Sequence, residues 1–264
     1  MTNVAPIGVL DSGLGGLSVL RALRQTLPAE DFIYCADCGN APWGDRSQKF
    51  IIERVRAMMN FMLQEKNVKA IVLACNTATA VAAETVRKEF RIPVIGTEPA
   101  VKPAAKETKT GHVAVIATTR TITSDRYESL VERFANGVKV TSLATPGLMD
   151  CVERGEFETP KTLQLLHHYL DPLFKEKVDT LVLGCTHYPF LENAIRKIAP
   201  YPILIIHPSL AIAKVTMDRV AALNALAPNN QVGTECFYVC DATRFTQTLT
   251  TLWPTATDIK ELRV

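Results

Sequence analysis

The chain has 264 residues, more than most single domains and enough for two of ordinary size. A formal net charge of +2, from 29 basic and 27 acidic side chains with no run of Lys and Arg, excludes a nucleic-acid or acidic-membrane surface built on charge. Seven cysteines, an odd number placed on strands and strand ends, argue against a disulfide framework, and no segment reaches the ~18 continuous apolar residues of a membrane span.

The opening "MTNVAPIGVLDSG" has no basic region ahead of a long apolar run, so a cytoplasmic protein is expected. Short apolar runs follow, and they predict strands at about 6–10, 32–36, 70–74, 93–96, 112–117, 138–143, 179–183, 202–206 and 236–240. The stretches between them read as helices. In "SQKFIIERVRAMMNFMLQEK", Ile51, Val55, Met58 and Met62 recur at three and four residues, and Ser47 is placed to cap the first turn. Strict alternation of strand and helix, with strands apolar on both faces, predicts an α/β protein with largely parallel sheets covered on both sides.

The pattern repeats. "VKAIVLACNTATA" (Val68 to Ala80) and "VDTLVLGCTHYPF" (Val178 to Phe190) share one build and place Cys75 and Cys185 110 residues apart. "IPVIGTEPA" aligns with "YPILIIHPS" at an offset of 109, and "IGVLDS" with "VAVIAT" at 106. Two pseudo-symmetric domains are therefore expected, residues 1–97 with 208–264 as one and 98–207 as the other. Each is a mainly parallel sheet flanked by helices, and the active site falls in the cleft between them, where strand carboxyl ends gather functional loops.

Four strand ends carry polar residues directly after an apolar run: Asp11-Ser12, Cys75-Asn76-Thr77, Thr118 with Thr121, and Cys185-Thr186-His187. Taken singly, such residues cap helices; taken together, they make a site. Cys75 and Cys185 each stand where a strand is expected to meet a helix start, whose unpaired N–H groups would lower a thiol pKa. Cys35, Cys38, Cys151, Cys236 and Cys240 lack that repeated context and are read as packing residues, with a tetrahedral metal at "CADC" weighed as a rival. The glycines of "LDSGLGGLS" imitate a dinucleotide fingerprint, but Ser18 replaces the third glycine and Asp11 would set a carboxylate beside the pyrophosphate. Two thiols from two related halves suit a reaction that takes a proton from one face of a carbon and returns one to the other, which is racemisation α to a carboxylate.

"LDSGLGGL", "APWG", "ACNTATA", "GTEPA" and "GCTHYP", in this order over nearly the whole chain, resemble the glutamate racemases of the cofactor-independent aspartate/glutamate racemase superfamily. The resemblance implies Cys75 and Cys185 as the acid/base thiols, Cys75 serving the D-enantiomer and Cys185 the L-enantiomer. It implies that Asp11 assists near Cys75, and His187 and Glu153 near Cys185. Substrate contacts implied are Asp11, Ser12, Trp43, Gly44, Asn76, Thr77, Thr186 and His187, with Thr118 and Thr121 secondary. Glutamate is the small-molecule substrate so implied, with no cofactor and no metal, and the lysines show no motif for a pyridoxal Schiff base. The resemblance also implies a bacterial cytoplasmic enzyme that supplies D-glutamate for peptidoglycan; it names no nucleic-acid or membrane partner and admits a homodimer. A racemase of another amino acid such as aspartate, and a nucleotide-binding protein using residues 13–18, stay open. Three departures stand out. Trp43 occupies a position where Tyr is usual, His207 lies in a loop where a "DSG"-like segment is common, and the long N-terminal extension of activator-dependent members has no counterpart before the first strand.

Overall fold

The computed structural model describes residues 4–228 and 230–264. Among these residues ten strands run Ile7–Asp11 (β1), Phe32–Ala36 (β2), Ala70–Leu73 (β3), Val94–Ile95 (β4), His112–Ala117 (β5), Lys139–Ala144 (β6), Thr180–Leu183 (β7), Leu204–Ile206 (β8), Glu235–Val239 (β9) and Ile259–Glu261 (β10). They form a six-stranded sheet, ordered β10-β9-β2-β1-β3-β4, and a four-stranded sheet, ordered β6-β5-β7-β8. All the pairings are parallel. The two sheets therefore repeat one strand order, 2-1-3-4 answering 6-5-7-8, and the first sheet extends it by two strands beside β2. The nine expected strands are all present. β10, "IKE", had no apolar signal because it is a three-residue edge strand with two exposed residues.

The central strands β1, β3, β5 and β7 are buried throughout, as parallel strands covered on both faces should be. In β1, Ile7 and Val9 pack into one core and Leu10 into another on the opposite face, while in β5 Ala114 and Ile116 separate in the same way from Val113 and Val115. The helix Gln48–Gln64 lays Ile51, Val55, Met58 and Met62 into the core, each with no exposed surface, and Ser47 caps it by accepting the Phe50 N–H at 3.2 Å. The helix Ser209–Ala222 packs Ile212, Ala213 and Val220 against Leu20 and Leu23 of the helix Leu17–Thr26, so the chain returns to the first sheet after building the second. The register pairs Leu10 with Leu73 and Ile116 with Leu183, which sets the carboxyl ends of β1 and β3, and of β5 and β7, side by side. No helix among the described residues is long and apolar enough to cross a membrane.

Candidate active site

One narrow cavity collects residues from both sheets. It is lined by Ser12, Trp43, Gly44, Cys75, Asn76 and Thr77 from the first half and by Thr118, Thr121, Met149, Gly184, Cys185, Thr186 and His187 from the second. The space left between them is about 10 Å³, the scale of a single water.

Cys75 ends the loop after β3 and caps the helix Asn76–Glu89, its sulfur accepting the Ala78 N–H at 3.4 Å, with Ser12 Oγ 3.4 Å away. The expectation of a lowered thiol pKa fails here. Burial and the nearby Asp11 carboxylate outweigh the Ser12 and Ala78 hydrogen bonds and push Cys75 up to about 12. Cys185 corrects the expectation in another way. The residues after β7 form a turn and then a 3₁₀ segment, Tyr188–Leu191, so no α-helix N-terminus meets this sulfur. Its partner is His187, whose Nδ1 lies 3.6 Å from Sγ. Both cysteines are buried and unbonded to any other.

Glu153, the last residue of the helix Leu148–Glu153, is buried against the ring rather than solvated: its Oε1 lies 2.6 Å from His187 Nε2 and accepts the Leu14 N–H at 2.6 Å. One ring nitrogen cannot donate and accept at once. The short contact to Glu153 takes the Nε2 proton, and the Gly15 amide at 3.2 Å is a neighbour rather than a donor. Burial pulls the imidazole pKa down, but the bonds to Cys185 and Glu153 prevail and hold it well above its ordinary value.

Asp11 lies behind the cavity wall with no exposed surface, and it makes no hydrogen bond to Cys75. Its Oδ2 accepts the Gly13 and Gly16 amides at 3.1 and 3.0 Å, and its Oδ1 accepts Thr186 Oγ1 at 3.3 Å, tying β1 to the other half. Burial raises its pKa to about 6 against the pull of His187 and the two amides. The amides that a pyrophosphate would need are thus held by the chain's own carboxylate, which removes the nucleotide reading of the glycine turn. The glycines have another use. A Cβ at Gly13 would stand 2.2 Å from Glu153 Oε1, and one at Gly15 would stand 2.4 Å from His187 Nδ1. They leave room for the carboxylate of Glu153 and the imidazole of His187 from the opposite half.

Across the cavity, Thr77 Oγ1 lies 2.9 Å from Thr118 Oγ1, which lies 3.0 Å from Thr121 Oγ1, a hydroxyl chain joining the two halves. Asn76 Oδ1 is buried with no hydrogen-bond partner in the structure. Trp43 turns its indole N–H away from the cavity to Asp37 Oδ2 at 3.3 Å, and Arg54 grips both oxygens of Asp37 at 2.9 and 2.6 Å. His207 approaches Ser209 Oγ at 3.1 Å, so the loop before the helix Ser209–Ala222 keeps a polar tie of its own. Met149 and Gly184 went unnamed in the sequence reading. Met149 sits one helical turn before Glu153, a spacing that shares a face, and Gly184 must be small because a Cβ there would meet that of Ala117 at 2.9 Å. Among the described residues no three of His, Cys, Asp and Glu group as a metal site.

Residues 7–216 match the model of the Asp/Glu/hydantoin racemase family. The chain belongs to this family. Among its members, a glutamate racemase of Ectopseudomonas mendocina is 47% identical over 80% of each chain, and one of Pseudomonas putida strain KT2440 is 42% identical over 97% of each. Two solved family structures align over 98% of both chains. A glutamate racemase of Bacillus anthracis gives a TM-score of 0.88 at 34% identity, and the Escherichia coli glutamate racemase, in complex with L-glutamate and the activator UDP-MurNAc-ala, gives 0.86 at 31%. Family membership accounts for the paired strand ends, since the two-sheet architecture is common to these proteins.

Proposed function

We propose that the chain interconverts L- and D-glutamate by two-thiol proton transfer at Cα and supplies D-glutamate for peptidoglycan in the bacterial cytoplasm. The observation that carries this reading is the pair of buried, unbonded cysteines at corresponding strand ends of two sheets, lining one narrow cavity. In the L-to-D direction the Cys185 thiolate takes the Cα proton on one face while the Cys75 thiol gives its proton to the other. Cys185 ends protonated and Cys75 ionised, and the reverse direction exchanges the roles. Burial keeps Cys75 a thiol, which suits it as the donor, and His187 Nδ1, 3.6 Å from Cys185 Sγ, stands where it can assist proton transfer at that sulfur. The unpartnered Asn76 oxygen calls for a donor such as an α-ammonium, and the hydroxyls of Thr77, Thr118 and Thr121 can donate to a carboxylate. Cys75 and Cys185, assisted by Asp11, His187 and Glu153, form the proposed machinery. The two units carrying it are residues 1–97 with 208–264, and residues 98–207. Because the cavity has room for about one water, the two halves must part to admit substrate.

The choice of glutamate rests on relatives that bear that name at 42–47% identity. Optical rotation of each amino acid, followed after the protein is dialysed against a carbonyl reagent, tests the reading. Glutamate alone should racemise at full rate. Racemisation of aspartate instead, or activity that returns only with pyridoxal phosphate, would overturn it.

A further inference from the structure

The residues that line the cavity are all buried except Gly44 and Thr118, which come from opposite halves and keep part of their surface. These two are in close contact, since a Cβ at Gly44 would stand 3.1 Å from that of Thr118. Each belongs to a short segment at the surface: Gly44 to the 3₁₀ turn Trp43–Asp45, and Thr118 to the cap of the helix Thr119–Ile122. A bond on the outside joins the same two segments, Arg120 Nη2 donating to the Arg46 carbonyl at 2.8 Å. It is exposed, and it is the one hydrogen bond that the Arg120 side chain makes among the described residues; Arg120 Nε is buried without a partner. The bonds between halves on the glycine-turn side are of another kind. Leu14 N–H to Glu153 Oε1 at 2.6 Å, Ser18 Oγ to the Thr186 carbonyl at 2.9 Å and Thr186 Oγ1 to Asp11 Oδ1 at 3.3 Å are all buried.

We propose that the cavity opens at one edge only, between residues 43–46 and 118–121, with the bond from Arg120 to the Arg46 carbonyl as its latch and the Ser18 side staying joined. The difference between the two edges decides which one parts. An exposed bond is exchanged for bonds to water at small cost, whereas a buried one leaves its donor or acceptor stranded unless water follows. Opening at the latch also brings water to Arg120 Nε, which lacks a partner in the closed protein. Next to the latch, the same movement separates Thr77 Oγ1 from Thr118 Oγ1, now 2.9 Å apart, and so frees two of the hydroxyls assigned above to a substrate carboxylate. The proposal rests on the proposed function only in taking this cavity as the substrate's, and it adds the way in and out.

Alkylation of the substrate-free protein by iodoacetamide, with each modified cysteine identified by peptide mass, tests where the cavity opens. Cys75 and Cys185 line the cavity and react only when it is open, whereas Cys35 and Cys151, with no exposed surface in the two cores, report unfolding of the whole chain. Arg120→Ala removes the latch and should speed alkylation of Cys75 and Cys185 about 3–10-fold, with Cys35 and Cys151 unchanged. Ser18→Ala cuts a bond on the opposite side and should leave all four rates within about 1.5-fold of the unaltered protein. Equal acceleration by both variants would mean that the halves separate along their whole contact, and no acceleration by Arg120→Ala would mean that the cavity opens elsewhere; either result overturns the proposal. Arg120→Met, which keeps the apolar stem and removes the donors, gives the same reading should the alanine variant fail to fold. Racemisation by the unaltered protein is assayed separately, so that its absence would count against the glutamate reading while the alkylation rates still locate the opening.

Discussion

Cys75 and Cys185 hold corresponding places in sheets of the same strand order, yet their surroundings differ in kind. Cys75 caps an α-helix and has only a hydroxyl and an amide as partners, and burial with Asp11 behind it keeps it protonated. Cys185 meets no α-helix; it has an imidazole backed by a carboxylate, which holds a positive charge beside the sulfur. The repeat brings two thiols to one cavity, and the departures from it give each sulfur partners of a different kind. Fold symmetry and chemical asymmetry have different sources: the first lies in strand order, the second in the side chains around each sulfur, Ser12 and Asp11 at Cys75 and His187 with Glu153 at Cys185.

The largest expected effect comes from removing either sulfur. Cys75→Ser and Cys185→Ser should each lower racemisation in both directions by roughly 10²–10⁴, because each direction uses both groups. The comparison sharpens if the surviving thiol still exchanges the Cα hydrogen of one enantiomer with solvent: Cys75 that of D-glutamate, Cys185 that of L-glutamate. Exchange of the opposite enantiomer, read by proton NMR, would reverse the assignment of the two halves.

Next in size is steric closure between the halves. Gly13→Ala sets a methyl 2.2 Å from Glu153 Oε1, and the resulting displacement should cost about 1–3 kcal/mol in urea unfolding and most of the turnover. Unchanged stability and turnover would show that Glu153 does not need its place against the glycine turn.

Asp11→Asn separates function from stability. Asp11 has a folded pKa of about 6, above its ordinary 3.8, so the folded state holds the proton more tightly than the unfolded chain. The stabilisation tied to that proton is fully present below pH ~4 and is lost as pH rises through ~6. The asparagine variant should therefore roughly equal the parent near pH 4 and exceed it by about 2–3 kcal/mol at pH 7.5, while racemising more slowly. Equal unfolding free energies at both pH values would place Asp11 in a solvated setting that the structure does not show. The smallest effect is expected at Trp43→Phe, which keeps an aromatic ring in the cavity wall and removes one indole bond, to Asp37; about 1 kcal/mol of stability and less than a few-fold in turnover should go.

Much of this was legible beforehand, for physical reasons. Buried parallel strands leave runs of apolar residues, so β1, β3, β5 and β7 and their polar ends could be read directly, and a duplicated fold repeats its spacing. What could not be read was which way charge and burial would balance. A helix start beside Cys75 argued for a low pKa, but the depth of the site and the position of Asp11 are tertiary facts, and they decide the sign. The 3₁₀ turn after Cys185 was hidden because "THYP" is as good a helix start as a tight turn. The role of Gly13 and Gly15 was equally hidden, since their partners Glu153 and His187 lie more than a hundred residues away along the chain.

The central claim is that two groups, one on each face, handle one carbon. It is tested most directly by starting from unlabelled L-glutamate in deuterated water and measuring deuterium at Cα in both enantiomers before equilibrium is approached. The account predicts that early D-glutamate carries deuterium at Cα while the remaining L-glutamate carries almost none. D-Glutamate that keeps the original protium would mean a single base working on both faces, and would contradict it.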